Sequence, residues 1–125
     1  MDERLKQLIQ QSPFRNAAIN AHIKTIIKNP ICGDVIELSA TINNEMVSAL
    51  SFSGQGCLLS QAAMNIVAHK AVNTSLDAIL CITPEQVFED LALTVGPNRR
   101  QCITIALQSI TDLVIRYRND RAEQN

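Results

Sequence analysis

The 125-residue chain has no tryptophan, one tyrosine and three phenylalanines, so it lacks the aromatic platforms on which single-stranded nucleic acids stack. It has no cationic surplus either. Eleven Lys and Arg face twelve Asp and Glu, for a net charge of −1, whereas polyanion binding runs on an excess of positive charge. A nucleic-acid partner is therefore not expected. No apolar stretch approaches the ~18 residues of a membrane span, so no membrane partner is expected. The Met-Asp-Glu-Arg start leads into no apolar signal core, which makes the cytoplasm the expected compartment. Cysteines stay reduced there. No repeat, low-complexity run or Gly/Ser linker divides the chain, and residues 1–125 read as one domain. Hydrophobic residues at 46% against 18% charged residues suit a packed core rather than a disordered chain.

Periodicity supplies the elements. Leu5, Leu8 and Ile9 give an amphipathic helix from Asp2 to Gln11, broken by Ser12-Pro13. Residues 19–27 fit a helical face (Ile19, Ile23, Ile26, Ile27) and a strand equally well. Ile36, Leu38, Ala40 and Ile42 alternate with Glu37, Ser39 and Thr41, a half-buried strand. An Asn43-Asn44 turn then predicts a hairpin to a partner strand over Met46–Ser53. Gly54-Gln55-Gly56-Cys57 opens a helix whose stripe runs through Leu58, Leu59, Ala62, Ala63, Ile66 and Val67, with Asn73 as its C-cap. Ser75–Cys81 reads as a short helix. Thr83-Pro84-Glu85-Gln86 carries a capping box and Pro at the first helical position. After a Val95-Gly96-Pro97 loop, Ile103, Ala106, Leu107, Ile110, Leu113, Val114 and Tyr117 mark a long final helix, and the polar tail from about 119 is expected to fray. Strands early and helices late predict an α+β fold with helices on one face of an antiparallel sheet.

Three of the four cysteines sit where chemistry is possible. Cys32 lies in a Pro-Ile-Cys-Gly-Asp turn before a strand, Cys57 at a helix N-terminus, and Cys102 at the start of the last helix beside Arg99 and Arg100. Helix N-termini and cations stabilise thiolates, which are both metal ligands and sulfur nucleophiles. Asp34, two residues past Cys32, adds a hard oxygen on the same turn. Three thiolates and a carboxylate suit four-coordinate zinc or an iron–sulfur cluster with one weak ligand. The residues alone leave packing open, because free cysteine is often buried and no Cys-x-x-Cys pair is present. Cys81 reads as a core residue, His69 as solvent-facing, and His22 as an unpromising ligand. Arg99 and Arg100 serve either the Cys102 thiolate, partner docking or plain surface charge.

Three motifs together resemble the U-type iron–sulfur scaffold family, which comprises IscU, SufU and the N-terminal domain of NifU. They are Asn29-Pro30-Ile31-Cys32-Gly33-Asp34, then Gly54-Gln55-Gly56-Cys57 with Ser60, and then Pro97-Asn98-Arg99-Arg100-Gln101-Cys102. Intervals of 25 residues (32 to 57) and 45 residues (57 to 102) match the family's spacing, and the resemblance covers residues 2–118. It implies a small three-stranded antiparallel sheet with helices packed on it, Ile19–Lys28 being the third strand. It also implies that Cys32, Cys57, Cys102 and Asp34 form one cofactor- and metal-binding site. Such proteins take sulfur from a cysteine desulfurase, build a labile [2Fe–2S] cluster and pass it to apo iron–sulfur proteins. That is a scaffold rather than an enzyme. The alternative implied is a zinc-dependent sulfurtransferase, with Zn2+ bound and Cys32 accepting persulfide sulfur.

Three departures stand out. Gln101 occupies the place of the IscU-branch histidine, and a neutral amide is a poor ligand for iron or zinc. Val95–Arg99 replaces the Leu-Pro-Pro-Val-Lys chaperone motif, so a dedicated Hsp70 handoff is not expected. The insertion typical of SufU between its second and third cysteines is absent. The chain is SufU-like in motifs and IscU-like in length.

Overall fold

The computed structural model describes residues 2–29, 33–91 and 97–124. Helix α1 (Asp2–Gln10) is followed by strands β1 (Ile23–Lys28), β2 (Val35–Asn43) and β3 (Met46–Gln55). Helix α2 (Leu58–Ala71), strand β4 (Thr74–Ser75), and helices α3 (Leu76–Ile79), α4 (Pro84–Leu91) and α5 (Pro97–Gln124) complete the chain. The sheet is antiparallel in the order β1-β2-β3-β4.

The alternation in β2 works as expected. Ile36, Leu38, Ala40 and Ile42 are buried, and with Val47, Leu50 and Phe52 of β3 they form the apolar face. Helices α2 and α5 cover it, α5 against β1 and β2 and α2 against β3. Every position of α2 from Leu59 to Ala68 is buried, because this helix is covered by α1, α4 and α5 as well as by the sheet. On α5, Ile103, Ala106, Ile110, Leu113 and Val114 are fully enclosed. Leu5 and Ile9 seat α1 in the same core. Arg4 of α1 donates to the carbonyls of Leu91 and Asp90, which satisfies acceptors left open at the C-terminus of α4. The capping box forms as read: the Thr83 N–H reaches Gln86 Oε1 at 3.0 Å, and the Gln86 N–H reaches Thr83 Oγ1 at 3.3 Å.

Several expectations are corrected. The sheet has four strands, not three. Asn73 follows the α2 cap Val72 in a left-handed conformation (φ 58°), which returns Thr74–Ser75 alongside Met46–Val47. The first sheet strand begins at Ile23 rather than residue 19, because residues 17–22 lie outside the ladder. Its preceding His22 is tied to the Ile42 backbone through Nδ1. The hairpin turns on Asn44-Glu45, both at positive φ (54° and 61°), one residue later than expected, since Asn43 still pairs with Met46. Helix α5 runs to Gln124, and near its end Arg121 lies over Tyr117 and donates to its hydroxyl at 3.0 Å. Cys81 is exposed, not packed, because α3 ends at Ile79 and leaves Leu80-Cys81 in a turn.

Candidate functional site

The site is built where the start of β2 meets the start of α2. Val35 pairs with Gln55, so the sheet register brings Asp34, one residue earlier, against Gly56. The Asp34 carboxylate is only 1% exposed. Its Oδ1 accepts the Cys57 N–H at 2.8 Å, and its Oδ2 accepts the Ser60 hydroxyl at 2.7 Å. Both donors lie in or beside the first turn of α2, where unpaired amides and the helix dipole favour a negative group. Gly56 makes the approach possible. It sits at φ +111°, and a Cβ there would meet Asp34 Oδ1 at 2.2 Å. Glycine alone takes that backbone conformation without strain and leaves that space.

Cys57 is the N-cap of α2. Its backbone is extended (φ −63°, ψ 134°), and its Sγ accepts the Leu59 N–H at 3.3 Å. The side chain is half-buried, so the sulfur is held by the helix start while part of it faces out. Asn29 and Gly33–Asp34 close the preceding turn by backbone bonds, Asn29 N–H to Asp34 O and Gly33 N–H to Asn29 O, both 2.8 Å. Cys32 lies outside the described residues, as do Val95 and Gly96, where a loop is expected, and the Arg99 side chain.

Cys102 lies more than a turn inside α5, not at its N-terminal end, because the helix begins at Pro97. It is 9% exposed and belongs to the core beside Ile103 and Ile105. Of the three roles left open for Arg100, the structure shows none at the Cys102 thiolate: the side chain is exposed and turns to α4. Its guanidinium stacks 4.4 Å over the Phe88 ring and pairs with Glu85 at 3.4 Å, so it braces α4 against α5. Gln101 is exposed. His69 is exposed as expected, its ring edge-on to Phe14 at 4.8 Å. Among the described residues, no three His, Cys, Asp or Glu side chains gather closely enough to hold a metal ion. Beside the first turn of α2 a cleft of about 170 Å³ is lined by Lys6, Ile9, Gln10, Arg15, Leu58 and Gln61.

A family model for the NifU-like N-terminal domain matches residues 10–124. The chain belongs to that family. Among curated relatives, the zinc-dependent sulfurtransferase SufU of Bacillus subtilis is 24% identical over 94 residues, covering 73% of this chain and 63% of that protein. The iron–sulfur cluster assembly scaffold protein IscU of Streptococcus pyogenes is 23% identical over 112 residues, covering 74% and 69%. The chain thus spans less than two thirds of the Bacillus relative. Among solved structures, a protein described as an iron–sulfur cluster assembly scaffold for the SUF system of Fervidobacterium islandicum superposes with a TM-score of 0.71 at 18% identity, covering 86% of this chain and 94% of that one. A NifU-like N-terminal domain from Brucella abortus gives 0.68 at 10%, covering 90% of each. The shared fold is the α+β arrangement described above.

Sequence reasoning missed the inward turn of Asp34. Two signals bore on it: Ser60, 26 residues away, is a short hydroxyl residue within the first turn of a helix, and Gly56 directly precedes its cap. Their meeting with Asp34 depends on the β2–β3 register, which local pattern does not carry.

Proposed function

We propose that this protein is an iron–sulfur cluster assembly scaffold. In this reading it receives sulfur from a cysteine desulfurase, holds a labile cluster as cargo through Cys32, Cys57, Cys102 and Asp34, and yields it to apo iron–sulfur proteins in the cytoplasm. The observation that carries the reading is the bond from the Cys57 amide to Asp34. It fastens Asp34, two residues past Cys32 in sequence, to the start of the helix that Cys57 caps, which supports the two cysteines acting at one site.

The donor set has the right chemistry. Thiolates are what iron–sulfur clusters take, and sulfur with a carboxylate oxygen is also a zinc set. A site completed by one weak oxygen ligand suits transfer, since cargo held too tightly does not leave.

A second reading is supported by the resemblance to a zinc-dependent sulfurtransferase and by Gln101 in place of histidine. There zinc would be held by Cys57, Cys102, Asp34 and Cys32, keeping thiols deprotonated and joining the loops. Cys32 would attack the terminal sulfur of a desulfurase persulfide, taking that sulfur and releasing the desulfurase thiolate.

Anaerobic reconstitution of Cys→Ser variants with iron, cysteine and a desulfurase tests the scaffold reading. Bound iron and sulfide are expected in the parent and in the Cys81→Ser control, and are expected to fall in the Cys32, Cys57 and Cys102 variants. Equal iron in all four variants contradicts the site. Persulfide on Cys32 by mass spectrometry, with bound zinc and no sulfide, favours the relay.

A further inference from the structure

The Asp34 carboxylate poses a conflict that rests on the reading above. A ligand must reach cargo at the protein edge, yet Asp34 is 1% exposed and both of its oxygens accept bonds from α2. Ser60, also 1% exposed, is committed to it at 2.7 Å. Gly56 leaves the carboxylate the space it occupies, which a Cβ would fill. Ser60 lies on a helix whose buried positions are mostly apolar, Leu59, Ala62 and Ala63 among them, and an alanine at position 60 would need no hydroxyl partner.

We infer that Ser60 is a positioning residue that holds Asp34 buried on the Cys57 amide, so that Asp34 reaches cargo at the protein edge by giving up the Ser60 hydroxyl and the Cys57 N–H. The site therefore exchanges one set of bonds for another. Without cargo, the carboxylate braces the Cys57 turn. With cargo, the same carboxylate leaves α2, and the Cys57 amide loses its acceptor. A bond that must be broken before the ligand can bind weakens cargo retention by the free energy of that bond, which makes Ser60 a determinant of lability without touching the cargo.

The test uses the full chain, with Zn2+ alone as the probe. Ser60→Ala is expected to lower the melting temperature of the metal-free protein, to speed hydrogen exchange at the Cys57 amide, and to slow zinc loss to a chelator by about tenfold, the equivalent of one hydrogen bond to a charged group. A residue with a merely structural role would destabilise the protein and hasten zinc loss together. In an Asp34→Ala background, Ser60→Ala is expected to leave zinc loss unchanged, because the group it restrains is gone. Faster zinc loss in the single variant, or an equal effect in both backgrounds, overturns the inference. If Ser60→Ala does not fold, the parent decides: Cys57 amide exchange is expected to quicken when zinc binds, and unchanged or slower exchange is contradictory. A parent that takes up neither zinc nor cluster defeats the functional reading instead. The inference is then read from Cys57 exchange in the metal-free Ser60→Ala protein, where no change overturns it.

Discussion

The two ends of α2 are secured by different means. At its C-terminal end the chain returns through Asn73, and backbone bonds do the holding: Asn73 N–H to Val47 O at 2.6 Å and Leu76 N–H to Glu45 O at 2.9 Å. Leu76 and Ile79 are buried beneath this corner. At its N-terminal end, among the described residues, the side-chain bonds between the start of β2 and α2 come from a carboxylate, with Asp34 taking the Cys57 amide and the Ser60 hydroxyl. Backbone bonds survive most side-chain changes. A joint made by a single side chain can be released by anything that competes for that side chain. In the proposed reading, function is placed at the joint that can be released, in keeping with the tendency of binding segments to come from locally less secure structure.

The largest expected effect breaks the secure end. Leu76→Ala removes a fully enclosed side chain and should cost about 2–5 kcal/mol, read by urea unfolding. Because the loss lies far from Asp34, it should leave hydrogen exchange at the Cys57 amide unchanged while the protein is folded. Gly56→Ala strikes the other end. The added Cβ would meet Asp34 at 2.2 Å and would have to adopt φ +111°, for a cost of roughly 1–3 kcal/mol from strain alone. Unlike Leu76→Ala, it should displace the Cys57 and Ser60 amide resonances. Gly33→Ala sharpens the contrast. Its φ is +75° but nothing lies within 4 Å, so the left-handed penalty of about 1–2 kcal/mol stands alone and Asp34 should keep its partners.

The smallest effect is a pH dependence remote from both ends. Asp112 on α5 has its pKa lowered, chiefly by the Thr25 hydroxyl that donates to it; burial opposes this, and Arg116 adds a hydrogen bond and its charge. A carboxyl with a depressed folded-state pKa contributes stability that is present above the unfolded value of about 3.9. That contribution disappears as pH falls through the lower folded value. Thr25→Val should therefore be less stable than the parent at neutral pH, by no more than about 1 kcal/mol for so solvent-accessible a carboxylate. The gap should narrow on acidification below about pH 4. A gap that is constant down to pH 2 would show that Thr25 acts through packing instead.

Elements with long or local signals were legible in the sequence. The β2 alternation, the Thr83–Gln86 capping box and the stripe of α5 each follow from residues that are near one another in the chain. Strand β4 was not legible, because two residues carry no period and its pairing depends on Asn73 turning the chain back. Cys81 looked apolar by company, yet its exposure is decided by where α3 stops. Arg100 looked like a neighbour of Cys102 in sequence, but on a helix it reaches Phe88 and Glu85 of α4. At the candidate site, the residue types and their spacing were readable, whereas the inward hold on Asp34 depends on Ser60, which only the folded register brings to it.

The most direct measurement is transfer. The protein, reconstituted anaerobically with iron, cysteine and a desulfurase, would be mixed with an apo-ferredoxin and followed by visible absorption and ferredoxin activity. The account predicts a sulfide-to-iron charge-transfer spectrum on this protein that then appears on the ferredoxin, Gln101 notwithstanding. No chromophore, with tightly held zinc and faster desulfurase turnover, would contradict the scaffold and leave a sulfur relay in its place.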